Sequence, residues 1–125
     1  MIVLLDAHAL LWWLADDPTL SRQARSVIAD PTNDVLVSAA TIWEIQIKRA
    51  IGKLVAPDGV LAAIETAGFL GLPITLADAD EAGRLAPHHR DPFDRMLVAQ
   101  AQRLEAVIAT RDTAFAAYDV ESLPA

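Results

Sequence analysis

The 125-residue sequence contains no cysteine. Disulfides, zinc–thiolate sites and thiol nucleophiles are therefore excluded, and a reducing cytoplasm is the expected setting. Long hydrophobic runs are also missing. Mean hydropathy is positive at +0.31, yet no stretch approaches the roughly 20 apolar residues that a spanning helix needs. The surge over Ala9–Ala15 ends at Asp16 and Asp17. The opening Met-Ile-Val-Leu-Leu-Asp has neither a basic region nor a small-residue cleavage site, so no secretory signal is expected. Repeats, low-complexity segments and Gly/Ser linkers are absent, and the length suits one domain over residues 1–125. Positive charge is scarce: 10 Lys+Arg stand against 17 Asp+Glu, for a net charge of −7. Nucleic acid normally calls for a basic footprint. The objection weakens if several of the acids share one cation-binding site; setting four of them aside brings −7 to −3.

Hydrophobic residues make up 54% of the chain and charged residues 22%, which predicts a globular fold. Short branched runs alternate with helical periodicity. Ile2–Leu5, Val35–Val37, Leu72–Leu76, Ala106–Ala109 and Val120–Leu123 read as strands, with Pro73 suggesting an edge position. Helical patterns cover His8–Ala15, Arg22–Ala29, Ala39–Ile51, Asp58–Ala67, Asp78–Leu85, Pro92–Glu105 and a short piece at Thr113–Ala117. Ser38 is a natural N-cap and Gly52 a natural stop for the third of these, whose main apolar stripe is Trp43, Ile47, Ala50, Ile51 and Leu54. Asp91 and Pro92 fit N-cap and N1 of the long helix that follows. Strands alternating with helices imply a mainly parallel sheet of four to five strands covered on both faces, with ligands bound beyond the carboxyl ends of the strands.

Four acids point to that edge. Asp6 follows the first strand directly, and Asp112 follows the last strong strand in Ala109-Thr110-Arg111-Asp112. Asp94 sits near N3 of its helix while sharing a face with Leu97, Val98 and Ala101. Glu44 lies within roughly 20–60° of Ala40, Ile47 and Ile51 on a helical wheel. Each has a plainer reading: helix caps for Asp6, Asp94 and Asp112, and an i,i+4 pair with Lys48 for Glu44. Together they predict a shared site, because four anions at close range repel unless a divalent cation joins them. Oxygen donors favour Mg²⁺ or Mn²⁺ over zinc, and the chemistry that follows is hydrolysis of a phosphodiester. Asp91 fits a cap better than an auxiliary ligand, and Ser38 and Thr110 fit either a cap or an orienting hydroxyl. Arg90, Arg95, Arg111 and Lys48 are surface charges that could also meet phosphate. His88 and His89 fall in a polar loop and are expected to be exposed. Trp12 and Trp13 could stack bases but suit a core or interface better.

Leu5-Asp6-Ala7-His8-Ala9-Leu10-Leu11-Trp12-Trp13-Leu14 resembles the first motif of PIN-domain ribonucleases, in particular VapC-type toxins. Ser38 with Ile42–Lys48 and Gly52–Leu54 is similar to their second motif, His88–Ala101 to the third, and Thr110–Phe115 to the fourth. The resemblance runs through nearly the whole chain. It implies a three-layer α/β/α fold, Mg²⁺- or Mn²⁺-dependent endoribonuclease activity, and ligands at Asp6, Glu44, Asp94 and Asp112, with Asp6 and Asp94 central and Asp112 the most variable. It also implies an RNA substrate, a homodimer and a cognate antitoxin that holds the enzyme inactive. Three other readings remain at this stage. An aspartyl-nucleophile phosphatase would place a second acid at position 8, where this chain has His8. A DNA-directed nuclease would need clamping elements that 125 residues barely accommodate, and a non-catalytic scaffold would keep the fold without the chemistry.

Overall fold

A computed structural model describes all of residues 1–125. Five strands form one sheet: β1 (Ile2–Leu5), β2 (Asp34–Ser38), β3 (Leu70–Leu72), β4 (Val107–Thr110) and β5 (Glu121–Pro124). Their order is β3-β2-β1-β4-β5, and every pair is parallel. The chain winds outward from β1 to β3, then returns to the other side of β1. The winding therefore reverses between β1 and β4, and the carboxyl ends of those two strands open on the crevice where such sheets bind ligands.

The connecting elements are α1 (Ala7–Leu14), α2 (Arg22–Ala29), α3 (Ala39–Ala50), α4 (Val60–Thr66), α5 (Leu76–Arg84), α6 (Pro92–Leu104) and a 3-10 turn at Thr113–Ala117. Side chains alternate across the sheet. Val3, Leu5, Val35 and Val37 pack with Leu10, Ala24, Ile45 and Ile64 from α1 to α4. Leu4, Leu36 and Ile108 pack on the opposite face with Leu97, Val98 and Ala101 of α6 and with Phe115. This is the three-layer α/β/α arrangement that the sequence predicts. Burying each of these Leu, Ile or Phe side chains contributes about 1.5–3 kcal/mol before conformational entropy is charged against it.

Two expectations need correction. The third strand ends before Pro73 instead of running to Leu76, because Pro73 has no N–H to donate and Thr75 starts α5. Thr75 and Asp78 form a reciprocal capping box there. The strand does lie at the sheet edge, as Pro73 suggested. The second correction concerns α3. Its apolar stripe does not face the core: Trp43 is 63% exposed and Ile51 60%. Ala40, Thr41, Glu44 and Ile45 turn inward instead. Ala40 and Thr41 are small enough to let the helix approach the sheet closely, and the larger stripe is left outside.

Candidate metal centre

Asp6 ends β1 and caps α1. Its backbone N–H donates to Ala109 O at 3.2 Å, and its Oδ1 accepts from the Ala9 N–H at 2.9 Å. These bonds fix the carboxylate at the reversal point, where it is only 8% exposed. Asp112 follows β4 and caps the 3-10 turn, with Oδ1 accepting from the Ala114 N–H at 2.9 Å. Thr110 Oγ1 accepts the Asp112 N–H at 3.0 Å, and its hydroxyl also interacts with Asp6. Thr110 thus couples the two strand-end acids.

Asp94 stands in the first turn of α6. Asp91 is the N-cap, accepting from the Phe93 and Asp94 N–H groups at 2.8 and 3.3 Å. Capping by Asp91 leaves the Asp94 carboxylate free to turn toward the sheet edge. Glu44 reaches the same place from the buried face of α3, and Lys48 Nζ donates to its Oε2 at 2.6 Å. The plain i,i+4 pair and the inward-facing acid are therefore both real: one group does both. All four acids line one cleft of ≈ 270 Å³, together with Asp91, His8, Lys48 and His89.

His89 is the residue the sequence reading missed. Its side chain is 14% exposed, and Nε2 lies 2.8 Å from Asp94 Oδ2 and 3.1 Å from Asp112 Oδ2. Nδ1 accepts the Asp91 N–H at 3.2 Å, which places the ring proton on Nε2, between the two carboxylates. The ring also meets the Phe115 edge at 5.8 Å. Loop composition signalled exposure, but the loop folds back because Arg95 donates to the carbonyls of Gly83, Leu85, Ala86 and His89. Arg95 is thus a loop clamp and not a free cation. Ser38 is a helix cap, its Oγ accepting from the Ala40 N–H at 3.1 Å.

The electrostatics are those of a crowded acidic site. Burial pushes the Asp94 carboxyl up to about 7, reinforced by Asp91, Glu44 and Asp6 and opposed by His89. Burial also raises Asp6, against the hydrogen bonds from Thr110 and Ala9. Lys48 is raised, chiefly through its bond to Glu44. Five carboxylates against one ammonium is a donor set for a hard divalent cation: oxygen-rich, anionic and partly withdrawn from water. A ring nitrogen of His89 and carboxylate oxygens of Asp94 and Asp112 lie within 4.8 Å of one another, so the two acids are close enough to reach a common ion while His89, protonated at Nε2, acts as their hydrogen-bond donor.

The sequence matches the PIN domain family over residues 3–121. No curated protein matches it significantly. Among solved structures, the fold is similar to VapBC2 from Rickettsia felis bound to a promoter DNA fragment, at TM-score 0.71 and 12% identity, covering 98% of each chain. VapBC-1 from nontypeable Haemophilus influenzae gives TM-score 0.69 and 22% identity over 98% of this chain and 97% of that one. Mycobacterium tuberculosis VapC20, a Sarcin-Ricin loop cleaving toxin, gives 0.61 and 17% over 98% and 99%. At these identities the likeness concerns the fold.

Proposed function

The chain belongs to the PIN-domain family, and on that premise we propose that it is a metal-dependent endoribonuclease, the toxin of a VapBC-type toxin–antitoxin pair. One observation carries this reading: Asp6, Glu44, Asp94 and Asp112, up to 106 positions apart in sequence, line a single cleft at the point where the sheet winding reverses. Residues 1–125 act as one domain in this account, since all five strands share one sheet.

Asp6, Glu44, Asp94 and Asp112 would hold Mg²⁺ or Mn²⁺. When bound, the ion supplies a water of lowered pKa and positive charge toward an RNA phosphate. Asp6 and Asp112 are fixed by their capping bonds, so they lose little freedom on binding. Glu44 is positioned by Lys48, whose ammonium also adds positive charge beside the phosphate. The His89 Nε2 proton sits between Asp94 and Asp112 and fixes their facing oxygens.

The exposed α3 stripe supports the partner assignments. Trp43 meets Phe93 edge-on at 5.4 Å, so the apolar face adjoins the first turn of α6, which carries Asp94. A separate groove of ≈ 480 Å³ is lined by Ile42 of the same helix with Val37, Leu61, Ile64, Leu72 and Pro73. Such a face suits a cognate antitoxin, and a second copy of the chain fits the homodimer that VapC-type toxins imply. The compartment proposed is the cytoplasm, consistent with the lack of cysteine; no helix is long and apolar enough to cross a membrane.

The test is cleavage of RNA by the purified chain free of any antitoxin. Activity with Mg²⁺ or Mn²⁺ that disappears with a chelator, and falls on the order of 100-fold or more in Asp94→Asn, supports the reading. Full activity in that variant, or cleavage of DNA in preference to RNA, sinks it.

A further inference from the structure

A second cavity of ≈ 320 Å³ adjoins the acidic cleft, lined by Asp6, His8, Trp12, Arg111 and Asp112. Asp6, His8 and Asp112 line both spaces, so the two share a wall. Its inner wall is built with care. Trp12 follows His8 by one helical turn, with ring centres 5.6 Å apart. The Arg111 guanidinium lies 4.5 Å from the indole centre. Arg111 Nη2 donates to Ala125 O at 3.0 Å and to Thr19 O.

These contacts fix the guanidinium through one of its nitrogens. A guanidinium carries five N–H donors, and the Nη2 bonds engage only one of its nitrogens. Nη1 and Nε make no hydrogen bond within the chain, and no Asp or Glu side chain pairs with Arg111, although Asp112 is its neighbour in sequence. A preorganised guanidinium with Nη1 and Nε free beside a cleft of carboxylates, in a chain of net charge −7, is placed for an anion. An indole and an imidazole at the same spot offer π-faces and edges to a planar ring.

We propose that this cavity is a nucleotide subsite: it holds the RNA residue next to the scissile phosphate, with Arg111 on that residue's phosphate and the His8–Trp12 wall against its unpaired base. The inference rests on the nuclease reading and adds to it a requirement for a single-stranded nucleotide. A polymer with one phosphate at the acids must run out along the surface, and this cavity offers cation and aromatics together. Stacking accepts any base, so the subsite contributes affinity ahead of sequence preference.

The experiment measures kcat and KM on a mixed-sequence single-stranded RNA pool with Mn²⁺ across a salt series. It uses wild type, His8→Ala, Trp12→Ala, Trp12→Phe, Arg111→Ala and Arg111→Lys. Expected are rises in KM of about 5- to 100-fold for Trp12→Ala, with Trp12→Phe partly restoring affinity. Arg111→Ala reduces the salt slope by roughly 0.7, the value for one phosphate contact on a single strand, and Arg111→Lys recovers it. His8→Ala, at an exposed position, tests the wall without threatening the fold. Mn²⁺ titration and thermal melting separate binding losses from damage to the metal centre or the fold. If wild type cleaves the pool while His8→Ala and the folded Trp12 and Arg111 variants keep its KM and salt slope, the subsite is wrong, the nuclease reading stands, and Arg111 only pins the carboxyl terminus. If wild type cleaves no RNA, both fall.

Discussion

His89 Nε2 lies 2.8 Å from Asp94 Oδ2. The closest partner of the most strongly perturbed acid in the protein is thus an imidazole N–H, and the only ammonium in the cleft is committed to Glu44. Asp94 is left with too little positive charge, which is why burial and its neighbours lift it to about 7.

This has a consequence for stability without metal. The native carboxyl near 7 binds a proton that the unfolded chain, near 3.8, has already released. Native-state stability therefore falls as pH rises from about 4 to 7. The loss is on the order of 2–3 kcal/mol after discounting for coupling to the neighbouring acids. Asp94→Asn should raise the metal-free melting temperature at pH 7.5 and flatten the pH profile; adding Mn²⁺ should stabilise wild type more than the variant. A variant less stable than wild type at pH 7.5 would show that Asp94 is already compensated.

The Glu44–Lys48 pair makes an opposite demand. Glu44 is buried and Lys48 about one-third exposed, so removing the cation strands a carboxylate. Lys48→Met should cost about 1–2 kcal/mol in a denaturant titration without metal, after allowing for solvent screening. Saturating Mg²⁺ should recover part of that loss. No recovery would argue that Glu44 lies outside the reach of the ion.

Much of this was legible in the sequence, for reasons particular residues make plain. Asp6 and Asp112 are readable because a carboxylate after an apolar run marks both a strand end and a cap. Asp94 is readable because, beyond a position near N3 that suits the helix dipole, it shares a helical face with Leu97, Val98 and Ala101, which pack on the sheet. His89 was not, since its position depends on Arg95 gathering four carbonyls from a loop whose path no periodicity encodes. The α3 stripe misled because periodicity identifies an apolar face but not its partner: here the sheet takes Ala40, Thr41 and Ile45, and Trp43 and Ile51 stay outside.

A contact away from the cleft provides a control. Arg103 grips Asp78 with Nε–Oδ1 at 2.6 Å and Nη2–Oδ2 at 3.0 Å, and the same carboxylate closes the capping box with Thr75. The guanidinium holds Asp78 down to about 2. Its contribution is complete above the ordinary value of 3.8 and is lost as pH falls through about 2. Asp78→Ala should destabilise the fold by about 2–4 kcal/mol at neutral pH while sparing metal affinity of the folded fraction. Lost metal affinity in folded protein would tie α5 to the site unexpectedly.

The exposed stripe gives a separate test of partnership. Trp43→Asp should abolish co-purification with an antitoxin supplied by co-expression, since a charge there must be desolvated in the complex. Unchanged complex formation would move the antitoxin to another face.

The central claim is that four distant acids meet around a shared divalent cation. Titration of the antitoxin-free chain with Mn²⁺, by calorimetry and by loss of the free-ion electron paramagnetic signal, tests it most directly. Wild type should bind, with affinity falling about 10- to 100-fold or more in each of Asp6→Asn and Asp94→Asn while both variants remain folded. Unchanged Mn²⁺ affinity in both variants, or none in wild type, would contradict the account.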